Sequence, residues 1–193
     1  AMSNLLAKYP AMGKQAQRFN QTVLAISGTA ENYALWTKTK ITRVDQLKGM
    51  KIGAVGSNAP WVASVGAVPV TIKGLSTIYS SLKTGIYEGT VLWQQAMAAF
   101  KFCEVAPYQL NAGFGAVSNA LITVNMNSWK KMPGEIQAAV KKGAPAWSAG
   151  SDKATLGGAK WGVGVCSKKF GQTTHKLTAA ESRAWAFALP NTA

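Results

Sequence analysis

The side chains that usually carry acid–base or metal chemistry are few and scattered in this sequence. The single histidine, His175, lies in a polar Thr-Thr-His-Lys stretch, which is typical of an exposed loop. The seven acidic residues stand singly, without the paired spacing that general acid–base catalysis or a metal site requires. The nucleophile-elbow string Gly-x-Ser-x-Gly does not occur. The sequence therefore predicts no catalytic residue, no metal site and no cofactor.

The two cysteines give little chemistry either. Cys103 and Cys166 lie far apart in sequence, and neither belongs to a Cys-x-x-Cys pair. One histidine cannot complete a zinc site with them. A single disulfide is compatible with this count, but we favour two buried free thiols.

A glycine pair and two tryptophans are better candidates for a binding site. Gly53 and Gly56 follow an expected strand, but they lack both the complete dinucleotide fingerprint and a Walker lysine, so we interpret them as a tight turn. An α/β enzyme domain that binds a phosphate-bearing ligand at this turn stays open as an alternative. Trp61 and Trp93 lie just beyond strand–turn or turn–helix junctions, where α/β proteins hold ligands. Tryptophans at such places are also common in protein cores.

The charge of the chain is strongly positive. Twenty-one Lys and Arg residues against seven Asp and Glu residues give a net charge of +14. The basic residues are dispersed, with no arginine-rich arm and no basic–aromatic strand of the ribonucleoprotein type. We therefore expect no nucleic-acid partner, although a basic nucleic-acid-binding protein remains a third reading. A positive field that steers anions towards a cleft accounts for the same charge.

The elements that would position these residues alternate between β-rich runs and helical stretches, which predicts an α/β fold. We expect strands at 22–27, 51–56, 68–72, 105–110, 120–125 and 161–165. We expect helices at 5–19, after Pro60, after Ser76, from Glu88 to Cys103, from Pro133 and after the Thr178/Glu181 capping box. Residues 37–48 are expected to form a connector that contains one helical turn. No stretch is long and apolar enough for a membrane span.

Five segments stand in a characteristic order and spacing. They are residues 45–52 (DQLKGMKI), 66–70 (GAVPV), 79–89 (YSSLKTGIYEG), 101–108 (KFCEVAPY) and 124–137 (VNMNSWKKMPGEIQ). Together they resemble the substrate-binding proteins of tripartite ATP-independent periplasmic (TRAP) transporters, of the C4-dicarboxylate-receptor-like family. Each segment alone is weakly specific, whereas the ordered set covers nearly the whole chain.

The resemblance implies a periplasmic-binding-protein-like architecture of two α/β lobes around a cleft that closes on its ligand. Family members are considerably longer, so residues 1–193 correspond to one partial solute-binding domain, the central and C-terminal part, with much of the N-terminal lobe absent. The resemblance also implies a periplasmic receptor whose signal peptide has been removed. Its partners would be an organic acid and the membrane subunits of a TRAP transporter.

Two departures from the family pattern bear on the ligand. Where the family usually has a carboxylate-binding arginine, this chain has Gly53, and where many relatives have a ligand-contacting asparagine, it has Leu92, followed by Trp93. Both changes favour a larger, more apolar or aromatic acid, whose anionic end would be held by backbone amides near residues 56–58. Relatives that bind a cation with a keto acid use a Glu-Trp pair that is absent here.

The sequence thus predicts a non-enzymatic extracytoplasmic receptor for a small organic acid. The candidate ligand-binding residues are Gly53, Ser57, Asn58, Trp61, Leu92 and Trp93. This reading requires the turn near Gly53 and the helix expected from Glu88 to face each other across a hollow.

Overall fold

The computed structural model describes residues 8–28, 33–115 and 119–189, which divide into two units. The first unit comprises Ala1–Ala30 and Ser118–Leu156, and the second comprises Glu31–Val117 and Gly157–Ala193. The strands are β1 (Gln21–Gly28), β2 (Tyr33–Thr37), β3 (Lys51–Ala54), β4 (Val68–Thr71), β5 (Gly89–Trp93), β6 (Tyr108–Asn111), β7 (Asn119–Asn125) and β8 (Thr173–Lys176). The α-helices are α1 (Pro10–Gln17), α2 (Ala59–Ala63), α3 (Ile78–Thr84), α4 (Gln94–Ala99), α5 (Met126–Lys131), α6 (Gly134–Phe170) and α7 (Ala179–Phe187).

The first unit is built on an antiparallel pair of strands. β1 pairs with β7 from Gln21↔Asn125 to Gly28↔Asn119, with an irregularity between Val23 and Ala25. The Ser27 hydroxyl lies 2.9 Å from both Ser151 Oγ and an Asp152 carboxylate oxygen, which ties the end of β1 to α6. A groove of about 870 Å³ runs along residues 22–26 of β1, between α1 and α6. This unit therefore keeps one long side of its sheet open.

The second unit contains a six-stranded sheet in the order β4-β3-β5-β2-β6-β8. β3 is parallel to β4 and β5, β6 is parallel to β8, and only β2 runs antiparallel to its two neighbours. The carboxyl ends of the five parallel strands therefore meet at one edge of the sheet, together with the start of β2. We call this the carboxyl edge.

Apolar clusters cover both faces of that sheet. Successive residues of a strand point to opposite faces, and accordingly Leu35 and Val91 join one cluster whereas Trp36 and Leu92 join the other. Because both faces of the sheet are covered, the sequences of the central strands are continuous apolar runs without alternating polar residues. The mixed α/β class predicted from the sequence is confirmed.

Several expected elements are confirmed, with small shifts in their bounds. The strands at 22–27, 51–56, 68–72 and 120–125 correspond to β1, β3, β4 and β7, and the expected strand at 105–110 corresponds to the later-starting β6. The Thr178 hydroxyl accepts from the Glu181 N–H and the Glu181 carboxylate accepts from the Thr178 N–H, as the capping box predicts. The helix expected at 5–19 is observed at Pro10–Gln17, and its first residues lie outside the described part of the chain.

Two expectations about secondary structure are wrong, and one strand was not predicted. Residues 89–93 form the strand β5, and the helix begins only at Gln94. The sequence did not separate the two, because a five-residue buried strand directly before a helix has no periodicity of its own. Residues 161–165 lie inside α6, which continues for 37 residues from Gly134. The strand β2 was not predicted: its five residues are all buried, and only the last of them, Thr37, belongs to the stretch we assigned to a connector.

The bonding of the two cysteines also differs from the prediction. Cys103 and Cys166 form a disulfide with a Cα–Cα distance of 5.7 Å, where we favoured free thiols. The bond joins the turn Phe102–Glu104 to the last part of α6, within the second unit. None of the helices in the described part of the chain combines the length and apolar character that crossing a bilayer requires.

Candidate functional site

The carboxyl edge of the second unit brings several of the predicted residues together. β3 ends at Ala54 and continues into the turn Gly56–Asn58, while the neighbouring β5 ends at Trp93. Because Gly53 pairs with Thr90 in parallel register, the residues just beyond both strands lie at the same edge. Ser57, Trp61 and Trp93 are therefore placed in the region where open α/β sheets bind ligands.

The position of Gly53 differs from our expectation that this region would face the segment from Glu88 across a cavity. Gly53 is buried inside β3 and pairs with Val70 of β4 and Thr90 of β5, and the Thr90 hydroxyl donates to the Gly53 carbonyl at 3.1 Å. Gly53 itself therefore does not face the segment from Glu88 across a cavity, because the two are hydrogen-bonded neighbours in one sheet. A Cβ at Gly53 would lie 2.9 Å from the Tyr87 ring, so packing rather than a ligand explains the glycine.

The turn after β3 offers one exposed and one buried polar side chain. Ser57 is exposed, with its hydroxyl available to a ligand. Asn58 is fully buried, and neither its Oδ1 nor its Nδ2 has a hydrogen-bond partner among the described residues. A buried amide without partners is energetically unfavourable, and no described residue offsets this cost at Asn58.

Trp61 belongs to an aromatic group at the carboxyl edge. Its ring lies 4.6 Å from that of Phe114, and Phe114 contacts Trp185 edge-on at 4.9 Å. The Trp185 indole donates to the Trp61 carbonyl at 2.9 Å, which fixes α7 against α2. Trp61 remains half-buried, so part of its ring is available while the rest packs on the core.

The two residues at the end of β5 have different surroundings. Leu92 is 1% exposed and packs in the apolar interior, and its carbonyl accepts from the Trp36 indole at 3.1 Å. Leu92 therefore contributes to packing and presents no surface to a ligand in this structure. Trp93 is half-buried, pairs with Tyr33 across the strands, and places its ring 5.5 Å from the Tyr33 ring.

Sequence reasoning missed the loop after β6 and the start of β2. The Tyr33 N–H donates to the Gly115 carbonyl at 3.1 Å, which brings the loop after Asn111 to the carboxyl edge. Gly113 and Gly115 both have φ of +72°, a left-handed conformation that glycine adopts without strain. The signal for this loop was the Asn-Ala-Gly-Phe-Gly string at 111–115, where Asn111 Oδ1 accepts from the Gly113 N–H at 3.0 Å.

Sequence reasoning also missed a network of glutamine side chains. Gln94, which is 5% exposed, donates from Nε2 to Gln172 Oε1 at 2.9 Å, and Gln109 Nε2 lies 3.4 Å from Gln94 Oε1. The Thr174 hydroxyl donates to Gln109 Oε1 at 2.7 Å. These amides satisfy one another, so we assign them to holding β5, β6 and β8 together rather than to ligand binding.

The segments that carry the turn and the two tryptophans contain no ionisable residues, whereas Lys73 follows β4 and Lys176 ends β8 at the same edge. The stretches 52–72, 89–100 and 105–129 contain no Lys, Arg, Asp, Glu or His. Lys51 lies at the opposite, amino end of β3, where its N–H donates to Glu88 at 3.1 Å. Within the described residues no group of three or more His, Cys, Asp or Glu side chains is placed to bind a metal. The arrangement suits binding through aromatic faces, hydroxyls and backbone amides.

Comparisons with known structures identify the fold. A TRAP periplasmic solute-binding protein from Desulfovibrio salexigens, in an open complex, is 22% identical, with a TM-score of 0.82 over 96% of this chain and 56% of that one. A second from Shewanella oneidensis, with bound succinate, is 18% identical, with a TM-score of 0.81 over 93% of this chain and 58% of that one. A third, from Desulfovibrio salexigens with bound orotic acid, is 19% identical, with a TM-score of 0.81 over 93% and 57%.

The chain therefore spans less than two thirds of the length of the structures it matches. No curated protein matches it. Residues 8–186 match the family of bacterial extracellular solute-binding proteins, family 7. That family consists of binding proteins, which agrees with the prediction that the chain is a receptor and not an enzyme. On this match over nearly its whole length, the chain belongs to the bacterial extracellular solute-binding proteins of family 7.

Proposed function

We propose that this chain is the partial solute-binding domain of a periplasmic receptor, which binds a small organic acid and delivers it to the membrane subunits of a TRAP transporter. The family match supports a solute receptor. Similar folds carry bound succinate in one protein and bound orotic acid in another, which supports an acid as the ligand class.

The ligand that fits this site best is an acid with an apolar or aromatic body. The observation that carries this choice is the carboxyl edge itself, where half-buried Trp61 and Trp93 lie in stretches free of charged residues. Aromatic side chains bury flat apolar surface and pack against rings. A short dicarboxylate would instead need two charged or strongly polar partners, and the segments that carry the turn and the two tryptophans contain no charged residue.

The anionic end of the ligand would be held by neutral donors. The Ser57 side chain is exposed, and the Asn58 N–H already donates to the Val55 carbonyl at 2.8 Å, so the N–H groups of Gly56 and Ser57 are the ones that would hold the ligand. Successive N–H groups of this kind form anion-binding concavities. In this proposal Gly53 and Leu92 act through packing alone.

Calorimetric titration of the chain with orotate and with succinate tests the proposal. We expect orotate to bind and succinate to bind at least about tenfold more weakly, which corresponds to about 1.4 kcal/mol. Trp93→Ala and Ser57→Ala should each weaken orotate binding. Ser57→Ala is the safer variant because the hydroxyl is exposed and makes no packing contact that truncation would remove.

Ile86→Ala provides the control, because Ile86 is 57% exposed and precedes the first residue of β5, at the opposite edge of the sheet. It should leave orotate binding unchanged. Preferential binding of succinate would refute the aromatic ligand while leaving the receptor function intact. Failure of the chain to bind any organic acid would refute the receptor proposal for this chain.

A further inference from the structure

The last part of α6 lies directly against the start of α4 within the second unit. The residues of α6 from Gly157 onward belong to that unit. A Cβ at Gly162 would lie 2.8 Å from the carbonyl oxygen of Gln94, the first residue of α4, and 3.2 Å from its carbonyl carbon. One turn earlier, a Cβ at Gly158 would lie 2.6 Å from the Gln95 side chain. The two helices therefore touch where α6 carries glycine.

The contact at Gly162 is the more restrictive of the two. A glutamine side chain can rotate away from an added methyl group, whereas the Gln94 carbonyl belongs to the backbone. Non-bonded atoms pack at about 3.5 Å, so a side chain at position 162 would push Gln94 away by roughly half an ångström or more. Glycine is less favourable than alanine in a helix interior, and the close approach of another backbone explains its presence at this buried position.

Gln94 and α4 are tied to α6 in two further ways. Gln94 Nε2 donates to Gln172 Oε1 at 2.9 Å, and the Gln172 N–H donates to the Cys166 carbonyl of α6 at 3.1 Å. Cys166 is also bonded to Cys103, in the turn that follows α4. α6 therefore holds α4 at its first residue and again just beyond its last.

Trp93 is the residue directly before Gln94. It ends β5 and is the N-cap of α4, so no loop lies between the two residues that could absorb a displacement of Gln94. Movement of Gln94 therefore moves Trp93, whose half-buried ring is one of the two tryptophans at the carboxyl edge. Binding sites require their groups to be held within about 0.5 Å, which is the size of the displacement that a side chain at position 162 would cause.

We propose that Gly162 is a positioning residue for the organic-acid site, an assignment that rests on the function proposed above. Gly162 lets α6 lie on the Gln94 backbone and thereby sets where the Trp93 ring stands at the carboxyl edge. It acts through Gln94 and Trp93 and not through a ligand contact of its own.

Calorimetric titration with orotate, combined with fluorine NMR of chain labelled with fluorinated tryptophan, tests the proposal. Gly162→Ala should weaken orotate binding at least about fivefold. It should also shift the Trp93 resonance without any ligand present; the loss of that resonance in Trp93→Phe assigns it. Gly164→Ala is the matched control, because it adds the same methyl group to the same helix, where a Cβ has no described atom within 4 Å. It should leave both readouts unchanged.

A double-mutant cycle separates positioning from a general loss of packing. In a Trp93→Ala chain, Gly162→Ala should weaken orotate binding no further, because the ring that it displaces is already absent. Gln172→Ala is a milder second variant, which removes the side chain that holds Gln94. It too should weaken orotate binding and shift the Trp93 resonance, and it serves as the test where Gly162→Ala does not fold. Urea unfolding verifies that each titrated variant is folded.

A Trp93 resonance that does not move in folded Gly162→Ala overturns the proposal, and so does an affinity equal to that of the parent. An additional loss of affinity in the Trp93→Ala chain also overturns it. In all three cases the parent still binds orotate, so the receptor function stands. A parent that binds no organic acid refutes the proposed function, and the positioning role with it.

Discussion

Loss of the disulfide between Cys103 and Cys166 should destabilise the second unit strongly. The two cysteines are separated by 63 residues, and both are fully buried. In the chain-entropy treatment, the cross-link lowers the entropy of the unfolded chain by about 14 cal/mol/K for a loop of this length, or about 4 kcal/mol at 25 °C. The bond connects the last part of α6 to the turn after α4, so reduction frees both segments in the unfolded state.

The measurement is urea-induced unfolding of three forms of the chain. These are the oxidised parent, the reduced parent, and the double variant Cys103→Ala with Cys166→Ala. We expect the reduced parent to unfold with a free energy about 2–4 kcal/mol lower than the oxidised parent. The alanine variant should lose slightly more, because it also removes two buried sulfur atoms. Alanine is preferable to serine here, because serine would bury a hydroxyl without a partner.

Mass spectrometry after alkylation must confirm the redox state of each sample. A reduced parent that loses less than about 1 kcal/mol would refute the reasoning, because the loop-closure contribution would then be absent. Equal stability of the oxidised parent and the alanine variant would refute it independently. A large loss confined to the alanine variant would show that packing of the sulfur atoms, and not the covalent link, is the stabilising contribution.

Two further substitutions test packing and electrostatics. Gly89→Ala should lower the free energy of unfolding, measured in urea, by about 1–3 kcal/mol, because the new Cβ would lie 2.5 Å from the Trp36 carbonyl oxygen. Gly134→Ala is the control and should change the free energy of unfolding little, because the space around Gly134 is open. Glu181→Gln should remove part of the pH dependence of stability. Hydrogen bonds from Thr178 hold the pKa of Glu181 below its ordinary value, so its stabilising contribution is present at neutral pH and is lost as the pH falls through that lowered pKa. Thermal unfolding from pH 7 to pH 3 measures this, with Glu135→Gln as control, and a parallel pH profile for parent and Glu181→Gln would contradict it.

The parts of the fold that could be predicted from sequence are those with local signals. The Thr178/Glu181 capping box fixed the start of α7, and Pro133-Gly134-Glu135 fixed the start of α6, because helix starts depend on residues within one turn. β5 and β2 were missed because strands buried on both faces lose the alternation that identifies a strand. The disulfide could not be predicted, because pairing across 63 residues depends on tertiary structure alone.

The candidate site shows the same division between local and long-range information. Sequence placed Ser57 after a strand and placed Trp61 and Trp93 just beyond strand–turn or turn–helix junctions. The structure puts all three at or near one edge of one sheet. Sequence could not show that Leu92 is interior, because that depends on which face of β5 each residue occupies. Tyr33 and the loop at 111–115 reach the edge only through the pairing of β2 with β6.

Gly53 illustrates why a family position cannot be carried over by alignment alone. The resemblance implied that relatives have a carboxylate-binding arginine at this position. From the sequence, we interpreted its replacement by glycine as a change in ligand contacts. In the structure the Tyr87 ring would lie 2.9 Å from any Cβ at Gly53, and burial raises the pKa of Tyr87, so the ring stays neutral in the interior. An arginine at this position therefore requires the Tyr87 ring to shift. The two residues form one packing unit, and a binding site at this edge must hold its anion by other means.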